Sequence, residues 1–279
     1  MRAALPALSA LCGPLLGASG ASAQQHAARP LPPGSLMEFQ WKGHTVTRGL
    51  MAAAEFAELA APLRAVAEAE EQAAARRKAE AMRLHGRDVE ALPFVQVLNP
   101  HRKHAAARTL ALAPALMAAA AAFLGVATVR LYQDSLFWKR PGHGDTAWHA
   151  DLWTVPLNTN HFVTVWLPLQ RVDPGCSPLF YLSQTEGDSG PGADPAGLPR
   201  PGVIGEHHAP LAEGDATWHH GWTLHGAPPV AGGASERLAY TAAYYSDEVP
   251  VLGKALEGLA SRRRGHSSIE VDSASAPRV

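Results

Sequence analysis

The rhythm of apolar and polar positions changes near Val126. Upstream, Ala, Glu and Arg dominate residues 52–84, and apolar residues recur at helical spacing, which predicts a helix interrupted near Pro62. A second helix is predicted over residues 105–124. Downstream, helix formers thin out, and short β-branched and aromatic runs alternate with Gly, Pro and Asn. These runs predict strands at 127–133, 135–139, 146–152, 161–169, 177–182, 216–218, 222–225 and 237–246, with another short strand at 44–50. Many short, evenly spaced strands argue for an antiparallel sandwich or barrel. Residues 187–210 are dense in Gly and Pro and read as a long loop, the kind of segment that often faces substrate. No internal repeat is visible, and the stretch after Ser261 reads as a disordered tail.

Composition narrows this picture only slightly. A chain of 279 residues with 47% hydrophobic content is large enough for one substantial core. The net charge of −1 and pI of 6.9 give no sign of a nucleic-acid partner, and Arg262, Arg263 and Arg264 read as a solvated end. Cys12 and Cys176 are too far apart for a metal-ligand motif, and a disulfide is not expected. The uncharged run 110–129 approaches membrane-spanning length, but its alanines and Pro114 favour a packed soluble helix. No membrane or specific protein partner is therefore expected.

Residues 1–37 contain no acidic side chain. Arg2, the apolar stretch 3–16 and Ala21-Ser22-Ala23 fit a secretory signal; a transit peptide and a true start at Met37 are the other readings. In each, residues 1–37 are leader and linker, 38–250 the folded domain, and 251–279 a partly disordered tail.

The chemistry concentrates in Trp148-His149-Ala150-Asp151. Residues two apart on a strand share a face, so His149 and Asp151 can present an imidazole and a carboxylate to one ion. His225 is the candidate third ligand. Two His and one carboxylate on one face leave three positions open, the arrangement that non-haem iron oxygenases use. Taken alone, a His-x-Asp pair is more often an ordinary hydrogen-bonded pair. His219 and His220 compete for the third place, since His219 has the parity of His225 and His220 the opposite one. Arg237 opens the strand after His225, and its planar fork suits the far carboxylate of a 2-oxoglutarate cosubstrate, with Thr241 on the same face to add a hydroxyl. A surface ion pair is the plainer reading of Arg237.

Several segments, in order, resemble the phytanoyl-CoA dioxygenase-like family of iron(II)/2-oxoglutarate oxygenases. They are Phe137-Trp-Lys139-Arg-Pro141-Gly142, Thr146-Ala-Trp-His149-Ala-Asp151, Val163-Thr-Val-Trp166-Leu-Pro-Leu169, Gly214-Asp-Ala-Thr-Trp-His219 and Leu224-His225-Gly226. The resemblance spans about residues 38–249. It implies a mainly β fold with flanking helices (52–124) around a double-stranded β-helix, a jelly-roll or cupin-like core (126–248). It selects His225 as the third iron ligand beside His149 and Asp151, and it implies that Arg237, Lys139 and Trp166 bind 2-oxoglutarate. His219 or His220 is left to orient a ligand or the cosubstrate. His143, His161, His207 and His208 are expected in loops or at the surface.

The implied reaction is hydroxylation of a small organic substrate by Fe(II), 2-oxoglutarate and O₂, with release of succinate and CO₂. Retention of Asp151 points away from halogenation. The family's Gly-Ser-His turn is replaced here by Leu179-Phe-Tyr-Leu-Ser183 running into Gln-Thr-Glu-Gly-Asp, and no basic cluster suits a CoA phosphate, so substrate identity does not carry over. A zinc hydrolase or lyase and a non-catalytic jelly-roll binding protein are the alternatives. The need for 2-oxoglutarate favours a cytoplasmic or organellar protein over a secreted one.

Overall fold

The computed structural model describes residues 30–85, 94–183 and 205–248. Helix α1 (Ser35–Lys42) ends at Gly43, whose left-handed backbone (φ 80°) turns its N–H back onto the Phe39 carbonyl and releases the chain into β1 (His44–Thr47). Helix α2 (Ala53–His85) then runs for 33 residues without the interruption expected at Pro62. Phe56, Leu63 and Ala67, on both sides of the proline, are fully buried in one cluster, so tertiary packing outweighs the lost hydrogen bond. Strand β2 (Val95–Leu98) follows the undescribed residues 86–93.

The helix expected over 105–124 is in fact two, α3 (Ala105–Ala111) and α4 (Pro114–Leu124). Proline excludes its predecessor from the helical region, and Ala113 accordingly sits at φ −59°, ψ 125°, while Pro114 opens α4 in the position proline tolerates best. Both helices bury apolar faces. Phe123 packs between Phe39 and Trp218, with ring centroids 4.8 and 5.1 Å away.

The remaining strands are β3 (Val129–Lys139), β4 (Thr146–His149), β5 (Phe162–Pro168), β6 (Phe180–Tyr181), β7 (Glu206–His207), β8 (Ala216–His220), β9 (His225–Ala227) and β10 (Arg237–Ser246). They form two antiparallel sheets, ordered β1-β8-β5-β10-β3-β2 and β4-β9-β6-β7. This is the jelly-roll core with helices packed outside. Alternation divides the larger sheet cleanly. Val163, Val165 and Leu167 of β5, and Leu238, Tyr240, Ala242 and Tyr244 of β10, face the helices. Tyr244 Oη donates to the Ala111 carbonyl at 2.8 Å and Tyr240 Oη to Asp134 at 2.7 Å, tying α3 and β3 to that layer.

Several expected strands change. The runs 127–133 and 135–139 fuse into β3. The strand expected over 146–152 stops at His149; Ala150 stays extended (φ −115°, ψ 136°) and Asp151–Trp153 forms a 3₁₀ turn. The loop expected through Pro210 ends earlier, because residues 206–207 pair with β6. Residues 184–204, the greater part of that loop, lie outside the described residues, as do residues 1–29 and the tail.

Register sets the inner face of the larger sheet in rows. One row runs Gln133, Ala243, Thr164, His219, His44 across β3, β10, β5, β8 and β1. The next holds Ser135, Thr241, Trp166 and Thr217, and at the far end Arg237 stands opposite Lys139. On the smaller sheet, His149, His225, Tyr181 and Glu206 form a facing row.

Candidate metal centre

His149 and His225 are register partners across β4 and β9, with ring centroids 4.2 Å apart. Each ring hydrogen-bonds a carbonyl two residues back: His149 Nδ1 to Ala147 O at 2.9 Å, His225 Nδ1 to Thr223 O at 3.0 Å. A carbonyl only accepts, so Nδ1 donates in both rings and Nε2 is the nitrogen turned towards the cluster. The two Nε2 atoms lie 3.8 and 3.7 Å from Asp151 Oδ1, too far for hydrogen bonds, and the three ligand atoms fall within 4.8 Å of one another.

Asp151 is oriented by its other oxygen. Thr164 Oγ1 donates to Oδ2 at 2.6 Å, and His219 Nε2 lies 3.3 Å from the same atom. Burial alone would push this carboxyl up. His225, the His219 hydrogen bond and His149 outweigh it and hold the group well below the usual carboxylate range. Burial, then His219 and His149, push the His225 imidazole well down. The cluster thus offers an ionised carboxylate and, in His225, an imidazole whose burial favours the neutral form that metal binding requires.

The same cavity, of about 290 Å³, also holds Trp166, Thr241 and Arg237. Arg237 is 2% exposed, its guanidinium carbon lies 5.5 Å from the Trp166 ring centroid, and its Nε and Nη1 have no hydrogen-bond acceptor among the described residues. Burial lowers its pKa to about 10. Lys139 beside it is fully buried and donates to the carbonyls of Ala227 and Pro228 at 3.2 and 3.3 Å. Burial first and Arg237 second bring its pKa down to about 7. Lys139 does not line the cavity; it reinforces the positive potential behind Arg237. The buried Arg237 guanidinium with two unfilled donors among the described residues fits an anionic ligand at this end of the cavity, while His149 Nε2, His225 Nε2 and Asp151 Oδ1 fit a metal at the other.

Bulges aim the walls. A register shift after Ala243 lets consecutive residues Tyr132 and Gln133 of β3 both line the cavity, and another between Thr146 and His149 brings both of those inward. His219 touches Asp151 as described, with its ring 4.1 Å from that of His225. His220, expected beside it as a possible orienting group, faces away: Nε2 donates to the Asn160 carbonyl at 2.6 Å and Nδ1 accepts from the Trp222 N–H at 3.2 Å.

Two surroundings of the cluster escaped the sequence reading. Thr164 was unremarked, although it shares strand parity with Trp166. His208, expected at the surface, is half-buried with its Nε2 3.0 Å from Nδ1 of the buried His44, whose ring stacks on Tyr181 at 4.8 Å. His207 is a strand residue of β7 rather than a loop residue, whereas His143 caps the Arg140 N–H in a turn and His161 is exposed.

A family model described as phytanoyl-CoA dioxygenase (PhyH) matches residues 39–238. No curated protein matches the sequence significantly. Solved structures with the same fold include SnoK, a non-heme alpha ketoglutarate dependent carbocyclase from nogalamycin biosynthesis. It is 21% identical, with a TM-score of 0.63 over 90% of this chain and 98% of that one. The epimerase SnoN, in complex with Fe3+, alpha ketoglutarate and nogalamycin RO, has 21% identity and a TM-score of 0.60, covering 88% and 96%. EvdO2 from Micromonospora carbonacea var. aurantiaca, complexed with 2-oxoglutarate, has 21% identity and a TM-score of 0.57, covering 81% and 94%.

Proposed function

The chain belongs to the phytanoyl-CoA dioxygenase family of iron(II)/2-oxoglutarate-dependent enzymes, and on that footing we propose that it hydroxylates a small, uncharged organic substrate. The observation that carries the reading is the sharing of one cavity by the His149, Asp151 and His225 cluster and the unpartnered Arg237 guanidinium. When bound, Fe(II) and 2-oxoglutarate supply the oxidising power: O₂ is consumed, 2-oxoglutarate gives succinate and CO₂, and one oxygen atom enters the substrate.

The protein's own groups supply position and electrostatics. His149 Nε2, Asp151 Oδ1 and His225 Nε2 would hold the metal. Arg237, with Nε and Nη1 free of acceptors among the described residues, would receive the far carboxylate of 2-oxoglutarate, Thr241 would add a hydroxyl, and Trp166 walls the same end. Lys139 raises the potential behind Arg237.

Beyond these groups, the described lining carries no charged side chain. Phe94, Phe137, Val155 and Phe162 give it apolar surface, and Gln96 and Gln133 give it amides. The enclosed part of the substrate is therefore neutral and mostly apolar, with polar groups for the amides to meet. SnoN holds iron, alpha ketoglutarate and a small molecule in one complex, which supports reading this cavity as a small-molecule site. A zinc hydrolase fits less well. Asp151 is the sole carboxylate in the described lining and is already engaged, and Arg237 would have no role.

The test is succinate formation from 2-oxoglutarate under air. Formation that requires added Fe(II) and disappears in His149→Ala and Asp151→Ala supports the reading. Turnover of a substrate panel without Fe(II) or 2-oxoglutarate would contradict it.

A further inference from the structure

Asp151 is the one candidate ligand able to bind a metal through either one atom or two. A carboxylate that swings to use both oxygens takes a second coordination position and leaves one fewer for cosubstrate and O₂. Something must therefore restrain Oδ2, and the register of the larger sheet places two donors beneath it. Thr164 and His219 are direct cross-strand partners on β5 and β8, both on the inner face, and both reach the same oxygen. The hydroxyl contact is the shorter, at 2.6 Å against 3.3 Å for the imidazole. Thr164 is 6% exposed, and its inner-face neighbours along β5 are Phe162 and Trp166, so the hydroxyl has a strong acceptor in Asp151 and little competing water.

We infer that Thr164 is a positioning residue that holds Asp151 as a single-oxygen ligand, with His219 as the weaker second donor. The inference rests on the reading of Asp151 as a metal ligand. Thr164 itself binds no metal. Its hydroxyl, anchored on a strand buried on both faces, keeps Oδ2 turned away and Oδ1 turned towards His149 and His225. Threonine reads in the sequence as an ordinary strand former; here its hydroxyl, rather than its branched shape, has the function.

That distinction gives a test in which packing and hydrogen bonding predict opposite patterns. Thr164→Val keeps the shape and loses the hydroxyl, Thr164→Ser keeps the hydroxyl and loses the methyl, and Thr164→Ala loses both. Co(II), which reports coordination number through its visible absorption, is titrated into each variant of the full chain without 2-oxoglutarate. The expected result is an affinity loss of about tenfold or more in the Val and Ala variants, in the range seen when partners of metal ligands are removed, with a changed cobalt spectrum. The Ser variant is expected to match wild type in both. Should Thr164→Val fail to fold, the Ala and Ser variants carry the same comparison. Wild-type affinity and spectrum in the Val or Ala variant, or a Ser variant as impaired as Ala, would overturn the inference. Asp151→Ala is titrated alongside: if it binds Co(II) as wild type does, the ligand reading falls and the inference with it. If Asp151→Ala loses the metal and Thr164→Val does not, only the role of Thr164 falls.

Discussion

Arg237 and Lys139 confront each other across β10 and β3 with little counter-charge, an arrangement that costs folding energy until a dianion arrives. A buried charge that lacks a partner carries a desolvation cost that no attraction repays, so an apolar side chain of similar volume in its place removes that cost. Arg237→Met should therefore melt no lower than wild type in the absence of 2-oxoglutarate, while its 2-oxoglutarate Kd weakens by about a hundredfold, the scale of losing one partner of a buried charge pair. Thermal melts and calorimetric titration of the Co(II) form check both halves; a destabilised variant with unchanged Kd would contradict them. Lys139 adds a pH signature. Its pKa falls from 10.5 to about 7 through burial first and Arg237 second, with Asp145 opposing. Between those values the unfolded chain holds a proton that the folded chain does not, so stability should rise as pH increases from about 7 towards 10.5. Lys139→Met should remove that part of the slope in urea denaturation measured across the range. At this scale the grouping of His149 with Asp151 was readable, because strand parity put them on one face and the extended Ala150 preserves that parity after β4 has ended. Parity did not separate His225 from His219, and the family resemblance made that choice. Thr164 and the His44–His208 contact were not readable, since each depends on which strands become neighbours.

At the scale of elements, the spacing of β4 and β9 sets the distance between the two imidazoles. Gly226 makes that approach possible: a β-carbon there would stand 2.9 Å from the Thr146 carbonyl oxygen and 3.4 Å from Trp148 Cα. Gly226→Ala should push the strands apart, lowering stability by roughly 1–3 kcal/mol as overpacking does, and Co(II) affinity should fall with it. Phe123→Ala, on α4 behind the larger sheet, should cost about 3–5 kcal/mol and leave Co(II) affinity unchanged. Urea denaturation and cobalt titration of the two variants separate strand spacing from general stability; equal effects on metal binding would contradict the assignment. The long elements were the legible ones. Apolar periodicity revealed α2, β5 and β10, and the run 177–182 contains the two-residue β6, whereas β7, also two residues, lay within the expected loop and exists because β6 pairs with it. The two prolines show the limits of a local rule. Pro114 divides its helix, where the chain turns between α3 and α4. Pro62 does not, because one surface holds both sides of α2.

In the molecule as a whole, the two sheets divide the labour. The smaller presents the imidazoles, the larger presents Arg237, Trp166, Thr241 and the two donors that orient Asp151, and the helices stiffen the larger sheet from behind. The groups proposed to hold metal and cosubstrate therefore share a cavity only because both sheets line it. The most direct test is anaerobic addition of Fe(II) and then 2-oxoglutarate to the purified chain while recording the visible spectrum. The expected result is a weak charge-transfer band that requires both additions, is lost in His149→Ala, and needs far more 2-oxoglutarate in Arg237→Met. A folded, iron-loaded protein that shows no band, or one whose band survives His149→Ala, would contradict the assignment of this cavity as an iron and 2-oxoglutarate site.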